Sequence, residues 1–535
     1  MSFRKRSPTS ESPMFVRFDR ASSPEDDGEY AMSPTSSSQS HHVTAVDYGD
    51  QTEDLEYSGA PATVGGFKLR SRKQPKRQAT VYESDATCLP PIMVGRQRTL
   101  VLCFDGTGDQ FDNDNSNIVN LFALLKKDDK NVQMCYYQAG IGTYATPGLQ
   151  LPGMTTVVKI LDDAVAWYLD RHVKEGYEFS CDLLVMENYE AGDKICMFGF
   201  SRGAYTARAL AGMLHKVGLI PACNLQQVPF AWQMYKDNSP MGWEMSKGFK
   251  KTFSVDVDID FLGVFDTVAS VGFFGYTLPF TASNYAIRTF RHALALDERR
   301  SRFKANYWHQ PTHGQDNLGD RPEDKLKTIR HGHESREGHG TSKGYRKADR
   351  WRESGFSETD VKEVWFAGCH CDVGGGSTPN ETPFTLAQVP LRWMVRECFR
   401  SNTGILFDID ALLEVGLEPE NLFPEVIVPR PMPTSKLGYD FDHPDLASAL
   451  SPMFDQLAIR PLWWILEFLP VKDRKQRAKD KAWYDSLLIN LGRARQVPDH
   501  LEEIHVHRSV KMRMDAMGYT PKARGLHPRH IVWVD

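Results

Sequence analysis

The sequence predicts an α/β protein, a parallel sheet flanked by helices, with a disordered N-terminal tail and a mostly helical C-terminal extension. Three observations carry that prediction. Short apolar runs of strand length stop at turns rich in Gly or Asp, as where Thr99-Leu100-Val101-Leu102-Cys103-Phe104 meets Asp105-Gly106-Thr107-Gly108. Segments with helical spacing alternate with those runs, the pattern of strand–helix–strand crossovers. One run enters a Gly-x-Ser-x-Gly turn and leaves it as an Ala-rich helix.

The chain has 535 residues, 41% hydrophobic and 25% charged, enough apolar material for a large core. Its 64 Lys+Arg against 69 Asp+Glu leave a formal charge of −5, which argues against a dedicated nucleic-acid binder. No continuous apolar stretch reaches membrane-spanning length, and MSFRKRSPTSESP lacks the apolar run of a signal peptide. The expected location is therefore intracellular and cytoplasmic. The 9 Cys are scattered without paired metal-site spacing and read as free thiols of a reducing compartment.

Residues 1–95 are rich in Ser, Thr, Pro and charge without apolar period, and read as a disordered tail. Its basic run, Lys68 to Arg77, reads as a solvated linker, with a nuclear signal or an anionic-lipid patch as alternatives. The α/β domain is expected over 98–400. Its first strand ends at Phe104; a helix follows from Asn117, with Ile118, Leu121, Phe122 and Leu125 on one face. Met134-Cys135-Tyr136-Tyr137-Gln138 is a second strand, and 157–168 a helix. Strands are also expected at Lys194 to Phe200, at 255–265 and at 363–368. Residues 310–352 form a polar insertion; its His313, His331, His333 and His339 have too little apolar support for a rigid metal site. Residues 401–535 are expected to be a helical extension or cap.

The chemistry centres on Gly199-Phe200-Ser201-Arg202-Gly203. A serine hydroxyl needs an imidazole to take its proton and a carboxylate to fix that imidazole's tautomer. Small residues two before and two after the serine let strand and helix close on each other. A second match, Gly340-Thr341-Ser342-Lys343-Gly344, follows no strand and is set aside. Reactive groups gather beyond the carboxyl ends of parallel strands. Asp266 and His370 each lie just past such an end, in the order Ser–Asp–His of the α/β-hydrolases. Asp266 also suits a helix cap and His370 a satisfied core histidine. His292, read on a helix, and His507, read as far from any strand, compete for the base. One oxyanion donor is expected at the Arg202 amide and the other at Gly106 or Thr107, with Asp105 holding that loop.

At these residues the sequence resembles the uncharacterised α/β-hydrolase domain family that includes the catalytic domain of Tle1-type phospholipase effectors of type VI secretion. The resemblance lies in Phe104-Asp105-Gly106-Thr107, Gly199-Phe200-Ser201-Arg202-Gly203-Ala204, Phe265-Asp266-Thr267-Val268, His292-Ala293-Leu294-Ala295-Leu296-Asp297-Glu298 and Gly368-Cys369-His370-Cys371-Asp372-Val373-Gly374-Gly375-Gly376. It implies an α/β-hydrolase fold, a Ser-Asp-His site and, for some members, phospholipase activity. Asp105, His292 and Asp372 stand as supporting or alternative positions.

The expected function is a serine hydrolase that cleaves an ester, a lipid or phospholipid, through an acyl-enzyme, with no cofactor and no metal. The alternative is a non-catalytic interaction protein that keeps the fold. A dehalogenase-type phosphatase is excluded, because its nucleophilic Asp position is Cys103 here. The apolar segment 461–470 is too short to span a bilayer; it reads as a buried element, or as a peripheral membrane contact through Trp463 and Trp464. Oligomeric state has no signal in the sequence.

Overall fold

The computed structural model describes residues 87–91, 97–140, 189–268, 278–309, 359–427, 444–476, 483–498 and 501–535. The helix at 157–168, the polar insertion and most of the expected tail lie outside these residues; the end of the tail differs from expectation, since Cys88 and Leu89 are buried and pair with Asp408 and Phe407 as a short antiparallel strand. An eight-stranded sheet organises the rest. Its strands are β1 Thr99–Phe104, β2 Gln133–Gln138, β3 Lys194–Phe200, β4 Ile259–Phe265, β5 Ile287–Ala295 and β6 Asp360–Phe366. A separate antiparallel pair follows, β7 Pro470–Gln476 and β8 Trp483–Ile489. The sheet is completed by β9 Ile504–His507 and β10 Ile531–Val534. The order is β10-β9-β6-β5-β4-β3-β1-β2, with every neighbouring pair parallel.

A parallel sheet needs cover on both faces, so its strands read as apolar runs. Leu100, Leu102 and Phe104 of β1 enter one core, shared with α2 Ser201–Val217, α3 Val228–Lys236 and α4 Pro240–Phe253. Val101 and Cys103 enter the opposite core, with α1 Asn117–Leu124 and α6 Gln388–Arg400. Ser116 starts α1 by accepting the Ile118 and Val119 amides, as an N-cap should. Strand order reverses between β1 and β3, and the carboxyl ends there bound the crevice where such folds place ligands.

Three further expectations change. The His292 segment is not helical: it is β5, inside the sheet and nearly all buried. A central strand covered on both faces loses its alternation, so apolar spacing does not separate it from a helix. His507 is not remote from strands either, since it closes β9. Beyond residue 401, helices such as α7 Arg508–Met517 share the chain with β7–β10, and β9 and β10 belong to the main sheet.

Candidate active site

β3 ends at Phe200, and Ser201 opens α2 with a φ of 56°. That left-handed conformation costs a non-glycine residue about 1–3 kcal/mol and is held by its surroundings. The flanking glycines explain the turn's sharpness. A Cβ at Gly203 would lie 2.2 Å from the Asp105 carbonyl oxygen, and one at Gly199 2.6 Å from Ala204 Cα.

His370 begins the short helix α5 His370–Gly374 just beyond β6. Its Nε2 lies 2.8 Å from Ser201 Oγ, and its Nδ1 2.5 Å from Asp266 Oδ2. The rings of Phe200 and Phe303 pack on the imidazole at 4.7 and 4.9 Å. Its backbone amide donates to Glu298, which pairs with Arg300. Asp372 does not reach the imidazole. It accepts the Cys369 and Phe454 amides, and burial pushes its carboxyl up to about 7.

Asp266 follows β4 with a φ of 42° and has no exposed surface. It accepts the Ala295 amide at 2.9 Å and a two-pronged contact from Arg495, at 2.5 and 2.8 Å. Burial alone would raise its pKa; the Arg495 charge and the His370 hydrogen bond outweigh that and hold the carboxyl well below the usual carboxylate range. Burial also lowers the His370 pKa, against the pull of Asp266, which favours the neutral imidazole.

His292 stands apart from Ser201. Its Nε2 accepts the Thr267 amide at 3.0 Å, and its Nδ1 lies 2.8 Å from Glu363. It therefore braces the turn that carries Asp266. His507 is also elsewhere, with Nδ1 at Ser509 and its ring stacked on Phe366. In the loop after β1, Asp105 accepts its neighbour Gly106's amide at 2.8 Å and the Tyr137 hydroxyl at 2.7 Å. The Gly106 amide is thus engaged, whereas the Thr107 amide has no hydrogen-bond partner among the described residues. The structure brings Ser201, His370 and Asp266 into one hydrogen-bonded chain: an imidazole able to take the hydroxyl proton, oriented by an ionised carboxylate.

A family model described as the type VI secretion phospholipase effector Tle1-like catalytic domain matches residues 98–397. The chain belongs to this Tle1-like family. It is 28% identical over 548 residues to an uncharacterized protein of Saccharomyces cerevisiae, covering 78% of this chain and 79% of that one. Among solved structures it resembles an uncharacterized protein from Pseudomonas aeruginosa, with 16% identity, TM-score 0.33 and coverage of 61% of this chain and 50% of that one. It also resembles the Tle1 effector bound to the VgrG spike of the type 6 secretion system, with 20% identity, TM-score 0.26 and coverage of 54% and 53%. The chain thus spans about half the length of each of these two structures.

Ser201, Asp266 and His370 all lie inside the Tle1-like match; Arg495 lies beyond it. Sequence reasoning missed Arg495, Glu298 and Phe303. Only Glu298 carried a signal, as the last residue of the family-like segment from His292 to Glu298. The segment 461–470 also differs from expectation. Trp463 and Trp464 are half-buried: Trp463 packs edge-on to Phe303, and Trp464 Nε1 donates to the Leu457 carbonyl. Leu462, at 64% exposure, and Phe468, at 62%, face solvent instead, with Ile465 beside them. Among the described residues no helix is long and apolar enough to cross a membrane.

Proposed function

We propose that this protein is an intracellular serine hydrolase that cleaves a carboxylic ester of a lipid, most specifically a phospholipid. The observation that carries the reading is the Ser201–His370–Asp266 chain, with Oγ–Nε2 at 2.8 Å and Nδ1–Oδ2 at 2.5 Å. Membership of the Tle1-like family directs it toward phospholipids.

In this mechanism Ser201 Oγ attacks the ester carbonyl while His370 Nε2 takes its proton. Asp266 holds the tautomer with Nδ1–H and stabilises the imidazolium. The oxyanion is met by the Arg202 amide, which sits in the first turn of α2 and has no intrahelical acceptor, and by the Thr107 amide. His370 then gives the proton to the leaving alcohol, and an acyl-Ser201 remains. Water, activated by the same imidazole, releases the fatty acid. A non-catalytic role leaves the ordered chain and the positive φ at Ser201 without a purpose.

The test is fluorophosphonate labelling, followed by profiling of phospholipids and simple esters, on wild type and Ser201→Ala. Labelling and fatty-acid release confined to wild type support the reading; an unlabelled, well-folded wild type overturns it. We also infer that Leu462, Ile465 and Phe468, rather than the Trp pair, rest on the lipid surface. Their segment reaches the site through Trp463 and Phe303, whose rings lie 5.7 Å apart. Flotation on phosphatidylcholine vesicles should fall in Leu462→Asp/Phe468→Asp; unchanged flotation of the folded variant removes this contact.

A further inference from the structure

We infer that Arg495 is a positioning residue for this site: its guanidinium keeps the Asp266 carboxylate ionised and aligned on the imidazole. The chain beyond the family-matched residues therefore supplies a working part of the chemistry. The inference rests on the serine-hydrolase reading above.

Arg495 is 2% exposed, and all five of its N–H groups have acceptors. Nη1 donates to Asp266 Oδ1 and, at 3.4 Å, to the Ala295 carbonyl. Nη2 donates to Asp266 Oδ2 and to the Phe303 carbonyl at 2.7 Å, and Nε to the same carbonyl at 3.0 Å. One side chain thus grips the orienting carboxylate, the end of β5 and the residue whose ring packs on His370. A fork of this shape matches a carboxylate in a way that a lysine cannot.

Without Arg495, Asp266 would keep only the Ala295 amide and the imidazole N–H. That is thin compensation for a carboxylate with no exposed surface, since each buried ion costs several kcal/mol to take out of water. The charged and titratable groups around it are His370 and Arg495 in contact, and His292, Glu298, Arg300 and Tyr307 beyond. Glu298 and Arg300 neutralise each other at 2.9 Å. With Arg495 on Asp266, the carboxylates of Asp266 and Glu298 are both paired, and the imidazolium formed during reaction is the new charge that Asp266 meets. The positive charge of Arg495 does not make His370 more basic. Its effect is to keep the acceptor ionised at pH values where a lone buried carboxyl would take a proton.

The experiment measures fluorophosphonate labelling rates of Ser201 and ester turnover from pH 5 to 9. It uses the full chain as wild type, Arg495→Ala and Arg495→Lys, with folding followed by circular dichroism. Arg495→Ala should label on the order of 100-fold more slowly at pH 7, with the acid limb of its pH profile moved up by about one unit or more. Low-millimolar guanidinium should restore part of both. Arg495→Lys keeps the charge but loses the fork; it should keep the wild-type acid limb and label about 10-fold more slowly. A merely structural arginine would reduce the folded fraction and leave the rate and pH profile of the folded protein unchanged, and that result overturns the inference. If Arg495→Ala does not fold, Arg495→Lys decides alone: wild-type rate and profile overturn the inference, and a slower rate with an unmoved acid limb supports it. A folded wild type that never labels overturns the hydrolase reading itself, and this inference with it.

Discussion

Replacing Asp266 by Asn separates the two demands placed on that side chain. The carboxylate accepts from His370 Nδ1 at 2.5 Å and from both ends of the Arg495 fork, in a place with no solvent exposure. Asn presents an NH2 group where one of these donors sits, and it removes the charge. Arg495 is then a buried cation without its partner, a loss of about 3–5 kcal/mol. The tautomer changes as well: an amide N–H facing Nδ1 puts the imidazole proton on Nε2, where it cannot accept from Ser201. A change of that kind lowers turnover by about 10^4-fold. The assay is labelling rate against denaturant midpoint for wild type, Asp266→Asn and Asp266→Asn/Arg495→Met. The single variant should lose both stability and labelling. The double variant should regain much of the stability, because no unpaired charge remains, while labelling stays lost. Wild-type labelling in a folded Asp266→Asn protein would refute the orienting role; a double variant less stable than the single would refute the ion-pair reasoning.

Five further outcomes follow from the same geometry. His370→Ala should lower labelling at least 10^3-fold. His292→Ala should retain labelling within about 10-fold and cost about 1–3 kcal/mol of stability, since it strands the buried Thr267 amide; equal losses in the two would make His292 the base. The acid limb of kcat/KM should lie below pH 6.5, because burial lowers the His370 pKa. The same shift acts on stability. The folded state disfavours the imidazolium, so this contribution is complete above the unfolded value of about 6.5 and is lost as pH falls from there toward the folded value; melts between pH 8 and 5 check the sign. Gly203→Ala, whose Cβ would meet the Asp105 carbonyl oxygen at 2.2 Å, should open the turn and reduce both labelling and melting temperature; an unaltered variant would show that the turn does not need glycine there.

The convergence of Ser201, Asp266 and His370 was legible for one reason. Each follows a parallel strand whose apolar run ends abruptly, and in such sheets the groups beyond the strand ends converge. His292 was singled out in the sequence, but its strand was not. β5 is covered on both faces, so Phe290, Ala293, Leu294 and Ala295 are all buried without period-2 spacing, and the same letters fit a helix. β9 and β10 span only four residues each, too few for any period to register. Arg495 was hidden for a different reason. In Leu491-Gly492-Arg493-Ala494-Arg495-Gln496 it reads as one of two solvated cations. Its burial depends on a carboxylate 229 residues earlier in the chain. An isolated arginine does not enter a core; this one does because Asp266 is already there and needs a counter-charge, and neither half of that pair predicts the other from its own surroundings. Strand ends locate a reactive centre from local pattern alone. The groups that keep such a centre ionised are chosen by charge balance across the fold, so they can come from anywhere in the chain, including the part that no family motif covers.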